Sequence, residues 1–554
     1  MKRGQVAIAA GLLLVWPVAA QAMVSEASAE MRQYVRARLA DAAGMPDAAA
    51  SSYARLLEAS PEDKRLALRT YRQALTAGNY KLAGLAAAQL DRLGALPPDG
   101  ALLLFAQAVV ARDWNRSNAA IGRIEREQVF AFLAPVMRGW VAYGRKSPDA
   151  ARLAAPGGGS QLANAYSRDH HLLIALASGR NDVLPDLRRL IAAHDIRSLR
   201  LQLAAAALLT KRGDMANARG ILDGTAPELV KARATLDAGK PLGGAIDTPE
   251  LGLSDLFAQL AIDVKGDGRS PVSLQLARIA GYLAPDNAAA IIATADLLTA
   301  NGYHDAALAL LDKVAPDNPL WEAARQQRSG ILLSMGNRQA ALADAQKAAA
   351  RPDASAAALV ELGGILTELD RPAEAAQVYR RAIGVDTAQG QPNWAHMFLT
   401  AGALDRSGDW EGAKNLLRQA SALAPGQAVI LNYLGYGMLD RGESLPEAQA
   451  YIERASSLDP NDAAIADSLG WLYYKRGNYP GAIAALERAV AGEPGQSVIN
   501  EHLGDAYWAV GRRIEARYAW RAALVQAEKA DSERLKRKLA DGPAGAPGSR
   551  LSAN

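Results

Sequence analysis

The chain of 554 residues contains no cysteine. This excludes disulfides, a thiol nucleophile, thiolate-held zinc or iron–sulfur, and a lipid-modified cysteine behind a leader. Phenylalanine is nearly absent, with 5 residues, and all aromatics together make up 6%. β-Branched residues are thinly spread, whereas alanine and leucine dominate; these lose little rotamer freedom in helices, so an all-α class is expected. Charge is close to balance, at a formal +4, and part of that excess sits in a short leader and a basic C-terminal helix. No nucleic-acid partner is expected from such a distribution.

The usual catalytic signatures are missing as well. Gly239-Lys240 is followed by Pro241, so it is no phosphate loop, and neither a G-x-S-x-G elbow nor an H-E-x-x-H pair occurs. The 6 histidines are scattered. His170 and His171 are adjacent and would point about 100° apart on a helix, so they read as surface histidines and not as ligands. No enzyme, metal, cofactor or small-molecule substrate is expected; the rival is a catalytic site hidden between Met31 and Leu222, marked by paired carboxylates without a packing or salt-bridge role.

What is present begins with a leader. Lys2 and Arg3 precede an apolar stretch from Val6 to Ala20, and Ala20-Gln21-Ala22 offers small residues to a signal peptidase, so residues 1–22 read as a secretory signal cleaved after Ala22. The run falls short of the roughly 20 apolar residues of a spanning helix, and Pro17 interrupts it. A periplasmic location follows, with no direct lipid anchor and membrane association only through a partner.

Residues 250 to 525 then repeat at a period of about 34, the length of a tetratricopeptide (TPR) helix-turn-helix unit. Gly435, Gly470 and Gly504 occupy equivalent places, each followed seven residues later by Gly442, Gly477 and Gly511. The first glycine is small where two helices cross; the second can take the left-handed conformation that ends a helix. Ala448, Ala482 and Ala516, then Ala455, Ala489 and Ala523, leave room on the second helix for the next hairpin, and Pro425, Pro460 and Pro494 stop it. Upstream the turn falls at Gly408, Asp370, Gly336, Gly302 and Gly268. One spacing is longer, and the extra residues are placed in a polar turn, Thr387 to Pro392.

Weaker pairs at the same step, Gly44 with Gly78 and Gly179 with Gly213, predict a worn array of five or six units upstream. The expected organisation is a TPR-type α-solenoid, a right-handed superhelix in two arms: a degenerate arm over 23–222, an irregular joint over 223–252, the main array over 253–526, a capping helix over 527–541 and a disordered tail over 542–554.

The motifs Asn432-Tyr433-Leu434-Gly435-Tyr436, Asp467-Ser468-Leu469-Gly470-Trp471 and Glu501-His502-Leu503-Gly504-Asp505-Ala506-Tyr507-Trp508 closely resemble bacterial TPR proteins of the cell envelope. The resemblance extends back to about Thr248. It implies a scaffold or adaptor for proteins or peptides, in some members one that brings an envelope protease to cell-wall hydrolases. The alternative is a fixed structural subunit of an envelope export or outer-membrane assembly complex.

In such hairpins the first helix lines the groove. The groove face should carry Asn432, Tyr436 and Asp440; Asp467, Trp471, Tyr474 and Lys475; and Glu501, Asp505 and Trp508. Tyr473 and Tyr507 occupy the usual packing slot, whereas Trp471, Tyr474 and Trp508 do not and suit an interface. The alternative for this cluster is packing between repeats or docking of the C-terminal helix. Three carboxylates on this face favour a basic or neutral partner segment over a terminal carboxylate.

Overall fold

The computed structural model describes residues 18–192, 196–224, 226–266, 271–352 and 354–543. The core of the predicted leader and nearly all of the predicted disordered tail lie outside these residues, as does Gly268. The regular secondary structure is helical throughout, with no strand among the described residues. It divides into two compact units between Asn337 and Arg338.

The first unit opens with six helix pairs: α1 (Val18–Ala42) and α2 (Pro46–Ala59), α3 (Lys64–Ala77) and α4 (Tyr80–Arg92), α5 (Pro98–Val110) and α6 (Trp114–Glu127), α7 (Ala134–Gly144) and α8 (Ala150–Ala154), α9 (Gln161–Ala177) and α10 (Leu184–Ile191), α11 (Ile196–Lys211) and α12 (Met215–Ile221). The predicted cleavage position Ala22 falls within α1. A single helix α13 (Pro227–Asp237) stands where the irregular joint is expected, and Leu242 and Ile246 beyond it are buried. Then come α14 (Pro249–Asp263), α15 (Pro271–Leu283), α16 (Ala288–Ala300), α17 (His304–Leu311) and α18 (Trp321–Ser334).

The turn between paired helices has a local cause. Gly44, Gly78, Gly179, Gly213, Gly302, Gly336, Gly408, Gly442, Gly477 and Gly511 all take positive φ, and Asp370 does so at 55°, in keeping with a short polar side chain that tolerates this region. Gly78 donates to Leu75 O at 3.0 Å and Asn79 to Ala74 O at 2.8 Å, closing the end of the helix. The residue directly after the turn is often an aspartate or asparagine that caps the next helix: Asn79, Asp113, Asp214, Asp409 and Asn478 each accept from a backbone N–H two or three residues into it. One dipeptide therefore stops one helix and starts the next.

Packing in the first unit is not a simple succession of neighbours. Helices α14 and α15 lie against α3, α5, α7 and α9, each the first helix of its pair. Gly252 of α14 abuts the Trp140 indole so closely that a Cβ would overlap the ring. Trp140, Phe105, Phe257, Leu253 and Leu256 are all fully buried, and each such burial contributes about 1.5–3 kcal/mol. The inner face of the early repeats is thus filled by the chain's own later hairpin.

The second unit runs through α19 (Arg338–Ala349), α20 (Ala356–Glu368), α21 (Pro372–Ala388), α22 (Trp394–Arg406), α23 (Trp410–Leu423), α24 (Ala428–Asp440), α25 (Leu445–Leu458), α26 (Ala463–Lys475), α27 (Tyr479–Gly492), α28 (Ser497–Ala509), α29 (Arg513–Val525) and α30 (Lys529–Asp541). Successive helices pack on one another. A Cβ on Gly435 would come within 2.7 Å of Ile452 Cγ1 and 2.9 Å of Ala448 O, which is the close crossing expected at that place. Ala448, Ala455, Ala482, Ala489, Ala516 and Ala523 are wholly buried. The longer spacing is taken up differently from expectation: α21 continues through Thr387 and Ala388 instead of breaking into a polar turn, and its Asp386 is buried beside His396, 2.6 Å from Nδ1. The capping helix is α30, and its Leu535 is fully buried against Ala516, Trp520 and Ala523.

Candidate functional site

The ten residues expected on the groove face of the second unit separate into a closed end and an open middle. At the end, Glu501 and Asp505 are only 4% and 5% exposed. Helix α30 occupies the place of a further first helix and lays Arg534 on Glu501, while Lys538 Nζ stands 2.6 Å from both Glu501 and Asp505. Trp520 Nε1 donates to Asp505 at 3.0 Å. Burial raises the Asp505 carboxyl, with Lys538 opposing that shift. Trp508 is covered too: its ring lies 5.2 Å from that of Trp520, with the Arg513 guanidinium 3.8 Å from its centre. For these three residues the structure takes the alternative named above, docking of the C-terminal helix, because the last repeat must cover its exposed face.

One repeat back, Asp467 is buried with both oxygens near His502 Nδ1, at 2.9 and 3.1 Å. The Trp471 ring stacks with Tyr474 at 4.8 Å and with His502 at 4.0 Å, and Lys475 Nζ sits 4.8 Å from its centre. His502 is a member of the site that sequence reasoning misses; its position directly after Glu501 in the motif is the only signal. Tyr473 and Tyr507 pack against the cluster of Leu486, Leu503 and Ala506, in their expected structural slot.

The middle belongs to α24. Asn432, Tyr436 and Asp440 fall at a spacing of four, hence on one stripe. Asn432 Oδ1 is buried without a hydrogen-bond partner, and Asp440 is exposed. Burial, reinforced by Asp440, Asp467 and Glu501, pushes the Tyr436 phenol up to about 12. This stripe offers surplus acceptors beside a half-buried aromatic ring.

A different arrangement fills the first unit. His170 is wholly buried, which corrects the reading of a surface histidine: α9 turns it inward, where Trp140 Nε1 donates to its Nδ1 at 3.1 Å. Burial holds its pKa well below 6.5. Nearby, Arg200 binds Asp169 at 3.0 Å and also Asp255. Burial raises both carboxyls while Arg200 opposes the shift. Asp169 therefore has a salt-bridge role, as does Asp255, which lies beyond the stretch from Met31 to Leu222 in which the rival reading places a catalytic pair. Among the described residues no group of three or more His, Asp or Glu is set to hold a metal, and no helix is long and apolar enough to cross a membrane.

The tetratricopeptide-repeat family model matches residues 331–393 and 438–497. Solved structures similar to parts or most of the chain include a thermophilic TPR protein of Thermus thermophilus, at 23% identity over 34% of this chain and 98% of that chain, with TM-score 0.29. Another is a TPR protein of Parabacteroides merdae, at 16% identity over 45% and 96%, with TM-score 0.37. The APC/C hetero-tetramer Cut9–Hcn1 is similar at 17% identity over 93% and 98%, with TM-score 0.37. None of the curated proteins compared with the chain matches it. The chain is an all-α protein of the TPR-type solenoid fold, carrying tetratricopeptide repeats in the two matched segments.

Proposed function

We propose that this protein is an exported adaptor that binds a polypeptide partner along the inner face of α24 and α26. The observation that carries the reading is the α24 stripe: Asn432 Oδ1 is buried without a hydrogen-bond partner among the described residues and Asp440 is exposed, while the carboxylates one and two repeats on are engaged by His502, Arg534 and Lys538. A buried acceptor without a donor costs about 1–3 kcal/mol, and a partner that supplies the donor recovers it. Surplus acceptors next to an exposed carboxylate favour a lysine, arginine or amide side chain over a carboxylate. The leader at residues 1–22 and the resemblance to envelope TPR proteins support an envelope setting, with delivery of a protease or cell-wall hydrolase to its target as the task.

The test is affinity capture from envelope extract with the full chain and with a Tyr436→Ala, Asp440→Lys variant. A protease, hydrolase or assembly factor held by the wild type and released by the variant is the expected result. Equal retention by both would move the site away from α24, and retention of nothing by either would remove the adaptor reading.

A further inference from the structure

The inner face of the first unit is not filled along its whole length. Helices α3, α5, α7 and α9 meet α14 and α15. The next first helix, α11, instead turns Leu199 and Leu203 toward an open cavity of about 1050 Å³. Leu251 and Ile262 of α14, Ile292 of α16 and Gln327 of α18 form further helical walls, and the turns at 243–246, 284–287 and 318–320 complete the lining, with Arg197, Asp263 and Asp296 among its charged residues. Leu251 and Ile262 lie about three turns apart on one stripe of α14, so the wall they form runs along the helix axis. Ile262 is 47% exposed.

Shape and chemistry agree on what fits. A helix about 10 Å across, rising 1.5 Å per residue, fills that volume over about 13 Å, or about nine residues. The floor is aliphatic, as the facing surfaces of packed helices are. Two buried polar groups bordering the space lack partners: Gln327 donates its Nε2 to Ile292 O at 3.3 Å but leaves Oε1 unpaired, and Arg200 leaves Nε unpaired. The inner face of the same unit already holds α14 and α15 of this chain.

We propose that the slot between α11, α14, α16 and α18 is a second binding site, separate from the α24 stripe, which takes an amphipathic helix of a partner protein. The partner presents apolar residues at i, i+4 and i+7 to Leu203, Ile262 and Ile292, and a donor to Gln327.

Photo-crosslinking tests this in the full chain. p-Benzoylphenylalanine replaces Leu203 in the producing cells, and Leu85, 63% exposed on α4, serves as the control position. The expected adduct joins Leu203 to one protein, on a segment with a helical apolar stripe. A 15-residue synthetic peptide of that segment then gains helical circular dichroism on the purified chain. Ala293→Trp, which fills the slot, weakens its binding at least tenfold, and the milder Gln327→Ala weakens it about threefold should the tryptophan variant fail to fold. Adducts on lipid, on a second copy of the chain, or no more frequent than at Leu85 overturn the proposal. So does a peptide whose binding ignores both substitutions, or falls instead with Tyr436→Ala.

Discussion

The inner face of the early repeats and that of the late repeats are built on one plan and differ in what covers them. In the first, α3, α5, α7 and α9 close on α14 and α15, with Trp140, Phe105 and Phe257 buried in the contact. In the second, α24 presents Asn432, Tyr436 and an exposed Asp440, with Val429 on the same helix 45% exposed. The difference lies in side chains and not in backbone. Large apolar groups opposite a glycine bind a face into permanent burial, whereas acceptors and half-buried aromatics leave it available to another chain.

The hardest test of that contrast is to remove one tryptophan from each face. Trp140→Ala should cost the first unit about 3–5 kcal/mol, the range for a fully buried large aromatic. Trp471→Ala, at a partly exposed ring stacked on Tyr474 and His502, should cost about 1 kcal/mol. Urea unfolding followed by circular dichroism reads both. Equal losses would mean that the late face is locked into internal packing to the same degree, and the contrast would fall.

Next in size is the closed end of the second unit. Lys538→Ala leaves Glu501 and Asp505, with side chains 5% and 7% exposed, without their shared cation, and breaking a buried pair on one side costs about 3 kcal/mol. Lys536, 58% exposed and paired with the exposed Glu533, serves as control and should cost less than about 0.5 kcal/mol. Hydrogen exchange over 497–525 should speed up in the first variant alone.

How much of this is legible in the sequence follows from the same physics. The turn glycines and buried alanines are readable because positive φ and close helix crossings exclude nearly every other side chain, so the constraint is written at single positions. Asp370 fits the register for the same reason. The filling of the early face is not readable: it depends on α14 meeting Trp140, 112 residues away in sequence (252 − 140), and neither partner has a local pattern that names the other. The acidic groove shows in the sequence as three carboxylates, but the pairing of Glu501 and Asp505 with Lys538 requires knowing that α30 lies beside α28. His170 is misplaced from sequence because adjacency to His171 says nothing of which helix face is buried.

A smaller effect separates the two units by pH. His170 accepts from Trp140 through Nδ1, and its pKa in the fold lies well below 6.5. A depressed pKa means that the unfolded chain takes up the proton first. Stability is then fully present above about pH 6.5 and is lost as pH falls toward the folded value, at about 1.4 kcal/mol per pH unit for one proton. His170→Gln should flatten that slope for the first unit and leave the unfolding of the second unchanged. Measuring the difference between wild type and variant removes the contribution of Asp169 and Asp255, whose raised pKa values act in the opposite direction.

The smallest expected effect bears on whether the open face is open to charge. Asp440→Asn removes one exposed carboxylate that makes no ion pair among the described residues, so folding should change by less than about 0.5 kcal/mol. A cationic partner segment would still feel the loss, because a carboxylate near the end of α24 draws it in through solvent as well as on contact. About threefold slower association is expected, shrinking as salt rises toward the screening limit of about 3 Å at 1 M. Glu501→Gln should leave that rate unaltered, since Arg534 and Lys538 already cancel its charge. An equal effect of the two substitutions would show that α30 does not close the end of the groove in solution, and the late face would then be one continuous acidic surface instead of an open stripe beside a sealed one.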